Sequence, residues 1–276
     1  MTQRMPPGLY VVATPIGNLE DLSPRAEAVL REASIVAAED TRTSKKLLVR
    51  AGSEARMVSL TEHNVEERAP GLVAAASAGA VALVSDAGTP VIADPGARLV
   101  AAAHAAGVPV FAVAGPSALA AAVSASGFEG SDVHFLGFLP KQRGERLARL
   151  HAAARTASVL VFFESPGRLS SVLDELAESL GDPEVVVCRE LTKLHEENVH
   201  GSASSLARRF EGTRGECTVV VRVPESREGE SSADVADFMA MMRNAGARRS
   251  AAAAEAARRF NVPREAAYGL WDAEGR

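Results

Sequence analysis

The sequence predicts an α/β protein: two successive α/β domains followed by a small all-helical segment. Three observations carry this prediction. Short apolar, β-branched runs alternate with helical patterns from Leu9 to Val223, the alternation that builds a sheet with helices on both faces. Polar residues recur where these runs end (Thr14, Glu39, Asp86, Ser117), which is where open α/β sheets bind ligands. After Pro224 the strand-like runs stop, and a charged, Ser- and Gly-bearing linker leads into a purely helical pattern. The predicted boundaries are residues 1–128, 129–224 and 225–276.

In order, Leu9–Ala13 reads as a buried strand, and Ser23-Pro24 with Glu27 reads as a helix start. A strand at Ile35–Ala38 leads into a basic helix over 41–51 that carries Lys45, Lys46 and Arg50. A strand at Met57–Leu60, a helix over 65–78 and a strand at Ala80–Val84 follow, then a helix near 96–106 and a strand at Val108–Val113. In the second set, strands are predicted at 133–138, 158–163, 184–188, 198–201 and 216–223. The helices between them cover a basic segment from Arg143, then 168–180 and 203–210.

The chain is 276 residues long, 47% hydrophobic and 24% charged, which places it among globular proteins with room for a sizeable core. Only 4% is aromatic, so that core must be built from Ala, Val and Leu. A net charge of −5 argues against non-specific coating of nucleic acid but leaves room for local basic patches. Cys188 and Cys217 lie in separate apolar runs and read as buried free thiols, without a disulfide framework or metal-ligand spacing. The N-terminus lacks an apolar signal-type core and no apolar run reaches membrane-spanning length, so a cytoplasmic protein is expected, with no membrane or metal partner.

The loop Ser85–Gly96 holds Asp86, Asp94, two glycines and two prolines just past a strand end. Asp94 before Pro95 fits a helix N-cap followed by proline at the first helical position. Asp86 lies too far upstream to cap the same helix and is the better ligand candidate. Near the C-terminus, Ala251–Phe260 and the residues up to Tyr268 have a helix-turn-helix shape. Six arginines (243, 248, 249, 258, 259, 264) stand there against the single acid Glu255. This suggests a polyanion contact; a solvated helix face or a dimer contact is the plainer reading.

Taken together, seven stretches resemble one family: Ala13–Leu19 (ATPIGNL), Glu39–Arg42 (EDTR), Ser85–Gly96, Gly115–Ser117 (GPS), Gly137–Pro140 (GFLP), Glu164–Pro166 (ESP) and Arg189–Lys193 (RELTK). They resemble, in unbroken order, the ribosomal RNA small subunit methyltransferase I family of the tetrapyrrole methylase superfamily. The resemblance implies two α/β domains of the tetrapyrrole methylase type with a cofactor cleft between them, in a homodimer. It also implies S-adenosylmethionine as methyl donor and a cytidine ribose 2′-hydroxyl of 16S ribosomal RNA, in the small ribosomal subunit, as acceptor. By the same analogy Pro15, Asp86, Ala87, Gly88, Thr89, Ser117, Ala118, Phe163, Leu191 and Thr218 would surround the donor. The first loop departs from the Gly-x-Gly-Asp-Pro pattern of the porphyrin enzymes, which favours the RNA branch.

A ribose hydroxyl is a poor nucleophile at neutral pH, so a base or a charge-stabilising cation is expected. His63 at a strand end, Glu39 and Arg42 are the catalytic candidates, with Asp40 and Glu164 as alternatives. Each also has a structural reading: a surface histidine, a helix cap, or an Arg42–Glu39 pair. Glu190 is most simply the partner of Arg189 or Lys193. Lys45, Lys46, Lys141, Arg143, Arg248 and Arg249 are the candidate RNA contacts, with solvated helix faces as the alternative. A corrin or porphyrin methylase and a non-catalytic ribosome-binding module are the competing functions.

Overall fold

The computed structural model describes residues 5–224, 232–260 and 264–271. The chain divides into two compact units, residues 1–223 and 224–276.

In the first unit, β1 (Gly8–Val12), α1 (Pro24–Glu32), β2 (Ile35–Ala38), α2 (Thr41–Ala51), β3 (Arg56–Ser59), α3 (Val65–Ala78), β4 (Ala80–Val84), α4 (Ala97–Ala105) and β5 (Val110–Val113) make one sheet with its crossovers. Its order is β3-β2-β4-β1-β5 and every pairing is parallel. The connection leaving β1 runs toward one edge and the one leaving β4 toward the other. Right-handed crossovers in opposite directions lie on opposite faces. Val29, Leu30, Leu47 and Leu48 of α1 and α2 accordingly pack on Tyr10, Val12, Val36 and Val84. Leu72, Ala76, Leu99 and Ala103 of α3 and α4 pack on Leu9, Ala37 and Leu83 of the other face. The local signals read from sequence hold: the Ser23 side chain accepts from the Ala26 amide ahead of Pro24, and Asp40 caps α2.

The second sheet contains β6 (Val133–Phe138), β7 (Val159–Glu164), β8 (Glu184–Arg189), β9 (Glu197–Ser202) and β10 (Cys217–Arg222), in the order β6-β7-β10-β8-β9. Only β6 and β7 run parallel; the other pairings are antiparallel. One face carries α6 (Arg143–Ala154), α7 (Pro166–Leu180) and α8 (Ala203–Arg209) over Leu160, Phe162, Val187, Val219 and Val221. The other face is covered by α5 (Ala118–Ser126), whose Ala118, Leu119 and Ala122 meet Val161, Val186 and Val220. No helix is predicted at α5 from the sequence. It precedes the predicted boundary at residue 128, yet its apolar side is used by the sheet that follows.

The second unit is a helical cluster of α9 (Ser232–Asn244), α10 (Arg249–Phe260) and α11 (Arg264–Leu270) around Val235, Phe238, Met239, Ala252, Ala256 and Ala267. The turn read from sequence between α10 and α11 falls at residues 261–263, outside the described residues, as does most of the 224–232 linker. Among the described residues no helix is long and apolar enough to cross a membrane.

Between α6 and α7, Arg146 makes a two-pronged ion pair with Glu175, at 2.6 and 2.7 Å, with both side chains at least nine-tenths buried. Its remaining donors reach the carbonyls of Pro140 and Lys141, closing the turn after β6. Removing one partner leaves a buried charge without its complement. Arg146→Met is expected to cost about 3 kcal/mol by chemical denaturation, and Arg146→Met with Glu175→Leu to recover most of that loss.

Candidate functional site

The β1, β2, β4 and β5 ends converge on the loop 85–96, and hydrogen bonds hold that loop in place. Thr14 and Gly88 exchange backbone hydrogen bonds of 2.8 and 3.0 Å, and the Thr14 hydroxyl donates to the carbonyls of Ser85 and Gly88. Thr14 is buried, so this strand-end residue is a clamp and does not line the cavity. The Thr89 hydroxyl donates to the Pro116 carbonyl, tying the same loop to the β5 end. Within it Val91 and Ala93 sit at φ 75° and 65°. A β-branched residue there is strained, and such strain persists only where the surroundings impose it.

Beyond this loop lies a cavity of about 470 Å³, lined from both sheets. One part is acidic: Glu39 at the β2 end, with Asp86 and Asp94 on the loop. The Asp40 amide donates to Asp86 at 3.0 Å, so the cap of α2 also orients the neighbouring carboxylate. Burial is the main reason that the Glu39 carboxyl is held above its ordinary value, and the charges of Asp86 and Asp94 add to it. Burial likewise raises Asp94, opposed by a hydrogen bond with Ser85. The expected capping role of Asp94 is overturned: Gly96 occupies the N-cap of α4 and supplies no side-chain cap, and Asp94 lines the cavity two residues earlier. Asp40 is held down at about 2 by its hydrogen bonds to Arg42.

The other part is apolar, a single row of residues across four strands. Phe138, Phe163, Thr218 and Cys188 stand in register on β6, β7, β10 and β8. All four line the cavity, with Leu191 beyond the β8 end, Ile16, and the N-cap and first residue of α5, Ser117 and Ala118. Cys188 and Cys217 are both buried free thiols that touch the cavity, and burial pushes them up to about 12 and about 11.

Of the residues expected around a donor, Asp86, Ala87, Gly88, Thr89, Ser117, Ala118, Phe163, Leu191 and Thr218 line this cavity, and Pro15 does not; its neighbour Ile16 does. Among the catalytic candidates only Glu39 reaches it. His63 is exposed in the turn before α3, outside the lining. Arg42 pairs with Asp40 at 2.9 Å instead of Glu39, because Asp40 is the N-cap of α2 and Arg42 lies in that helix's first turn. Glu164, 2% exposed, lines the cavity but is held by both prongs of Arg168. Glu190 pairs with Lys193, while Arg189 pairs with Glu197.

The candidate RNA contacts separate by their partners. Lys45, Lys46, Lys141 and Arg248 are exposed. Arg143 is drawn to Glu178 and Glu175 of α7. Arg249 bonds the Tyr268 carbonyl at 2.8 Å and stacks over its ring, so it serves the packing of the helical unit instead of presenting a free cation. Arg243, Arg259 and Arg264 are likewise engaged by carbonyls or aromatic rings of that unit. Among the described residues no cluster of His, Cys, Asp and Glu is arranged to hold a metal ion.

The sequence is similar to known proteins along nearly all of its length. The family model for tetrapyrrole (corrin/porphyrin) methylases matches residues 8–207. A protein of Mesorhizobium japonicum named ribosomal RNA small subunit methyltransferase I is 43% identical over 95% of this chain and 90% of its own. The chain belongs to the ribosomal RNA small subunit methyltransferase I family, within the tetrapyrrole methylases. A member from Thermotoga maritima is 44% identical over 77% of this chain and 97% of its own. Solved structures of a diphthine synthase (18% identical, TM-score 0.61, 77% of this chain and 89% of that one) and a cobalt precorrin-4 methyltransferase (19%, 0.58, 77% and 93%) share the fold. Membership makes the chain a methyltransferase that uses S-adenosylmethionine. The cavity fits that donor: carboxylates suit its sulfonium and ammonium charges and its ribose diol, and Phe163, Leu191 and Thr218 suit an adenine.

One close approach holds the cavity's far wall. A Cβ at Gly17 would meet Lys193 Cγ and lie 2.8 Å from the Leu191 carbonyl. Gly17→Ala is expected to displace the 191–193 loop and weaken S-adenosylmethionine binding about tenfold by calorimetry, with little change in the unfolding midpoint of the first unit.

Proposed function

We propose that this chain methylates the 2′-hydroxyl of a cytidine ribose in the decoding centre of 16S ribosomal RNA, with the small ribosomal subunit as partner, as a cytoplasmic homodimer. The observation that carries this reading is the cavity at the parallel strand ends, acidic on one side and apolar on the other, in a chain of this family. S-adenosylmethionine supplies the electrophilic methyl group.

The residues of the chain bind, orient and accept a proton. Asp86, aimed by the Asp40 amide, receives the donor's ammonium or ribose hydroxyls. The start of α5, open to the cavity at Ser117 and Ala118, favours the donor's carboxylate, because the first amides of a helix lack intrahelical partners. Phe163, Leu191 and Thr218 wall in the adenine. Glu39 is the candidate base for the 2′-hydroxyl: it lines the cavity, and its raised proton affinity brings it closer to the pH at which general bases work best. Lys45, Lys46, Lys141 and Arg248 would hold phosphates, which position RNA without reading it. The boundaries at residues 128 and 224 belong to the same reading: each sheet supplies one wall of the site.

Incubating the enzyme and labelled donor with small ribosomal subunits, then mapping the modified nucleotide, tests the reading. Label in a cytidine ribose is expected, and its absence would refute the proposal. Asp86→Ala should weaken donor binding by about 10- to 100-fold, the scale of a hydrogen bond to a charged group, and abolish transfer; wild-type turnover would remove Asp86 from the site.

The acidic cluster also sets a pH dependence. Because the Glu39 and Asp94 carboxyls lie above their ordinary values, the free protein retains protons just above the usual carboxylate range. The folded state then binds more protons than the unfolded one, so these groups cost stability as pH rises through that window. A cationic donor favours the ionised carboxylates and expels those protons. Donor affinity should therefore rise with pH across the window and then level off, with proton release detectable as calorimetric heats that differ between buffers. Asp94→Asn should shrink that release.

A further inference from the structure

Phe138 has no role in the site as described so far, and its placement is unusual. It lines the cavity at a strand end yet is 60% exposed, in a protein with few aromatic residues. Its position depends on an irregularity in β6. Phe135 pairs with Val161 of β7, but Phe138 pairs with Phe163, so three residues of β6 span two of β7. Without that extra residue Gly137 would stand opposite Phe163, and Phe138 would fall on the opposite face, because successive strand residues alternate. Gly137 takes φ 61°, a conformation that residues with a Cβ adopt rarely, and its site has open space around it. Bulges of this kind re-aim a side chain. Here the bulge adds a phenylalanine to the row Phe163–Thr218–Cys188 at the cavity mouth.

The ring packs against a neighbouring aromatic while most of it stays in solvent. It meets Phe163 at 5.6 Å between centroids and 64° between planes, and Phe163 meets Phe135 at 4.9 Å and 65°. Ile92 of the strained loop, 38% exposed, lines the same cavity. Three residues further on, Lys141 is exposed at the start of the basic α6 segment. An aromatic ring left open to solvent at a site entrance, followed by a cation, matches what a single unstacked nucleotide needs: a π-face for the base and a positive charge for the phosphate.

We propose that Phe138 is the stacking platform for the base of the nucleotide being methylated. It holds the base at the cavity mouth so that the ribose 2′-hydroxyl enters toward Glu39 and the donor. This rests on the RNA-methylating reading above and names the element that grips the acceptor. Stacking on an aromatic ring tolerates any base, so Phe138 would supply affinity and placement and leave the choice of cytidine to other contacts.

The test compares wild type with Phe138→Ala, Phe138→Leu and Phe138→Tyr, using labelled donor and small ribosomal subunits that lack the modification. The kcat/KM for subunits should fall about 10- to 100-fold in the alanine and leucine variants and stay within about threefold of wild type in the tyrosine variant. The Kd for S-adenosylmethionine, read by calorimetry, and the thermal midpoint should be unchanged in all three, since the ring is exposed. Wild-type kcat/KM in Phe138→Leu would overturn the proposal, showing that the position needs only apolar bulk. A parallel loss of donor affinity would also overturn it, because the ring would then belong to the donor site. If wild type itself leaves the subunits unlabelled, the function proposed above fails and this inference with it; if wild type labels them and Phe138→Leu matches it, only this inference fails.

Discussion

The site depends on the exchange of hydrogen bonds between Thr14 and Gly88. Two loops that leave neighbouring parallel strands have no reason to meet; β1 and β4 send their chains to opposite faces of the sheet. The paired backbone bonds, reinforced by the buried Thr14 hydroxyl, close that gap and fix the first turn of the loop 85–96 at Ser85 and Gly88. With the loop anchored, Asp86 can take the Asp40 amide, Thr89 can reach the Pro116 carbonyl, and Val91 and Ala93 can be held with positive φ. A loop of the same composition without that anchor would relax the strained residues and disperse the carboxylates.

The acidic wall is a balance between repulsion and use. Glu39, Asp86 and Asp94 line one cavity, and their mutual charge together with burial raises the proton affinity of Glu39 and Asp94. Among nearby carboxylates Asp40 is the contrast: the guanidinium of Arg42 lies beside it and keeps it ionised. Carboxylates on consecutive residues, 39 and 40, are thus pushed in opposite directions by what each one touches. The carboxylates of the opposite wall are paired: Glu164, which is buried, with Arg168, and Glu216 with Lys193.

The second sheet contributes by register. Because β7, β8 and β10 pair antiparallel while β6 and β7 run parallel, residues far apart in sequence, at 138, 163, 188 and 218, form one row at the cavity. The helix that covers this face, α5, comes from the preceding half of the chain and packs on the second sheet, with Ile16 from the loop after β1 in the same apolar layer. Its alanine-rich sequence has weak amphipathic contrast, and its burial depends on a sheet that is synthesised later.

Local chemistry made much of this legible in the sequence. Short β-branched runs located the strands, Ser23-Pro24 and Asp40 located helix starts, and strand-end polarity located Glu39, Asp86 and Ser117, because these signals act over a few residues. Partner choice over longer distances was not legible. Asp94 has the spacing of a cap, but the chain turns at Gly96 and leaves it in the cavity. His63 has the chemistry of a base and Arg249 that of an RNA contact, yet one faces solvent away from the cavity and the other is held by Tyr268. By itself the sequence determined which segments are strands and helices and which residue types stand at their ends. Only the tertiary structure decided which of those ends meet, because sheet order, register and the Thr14–Gly88 bond are contacts between residues that the sequence keeps far apart.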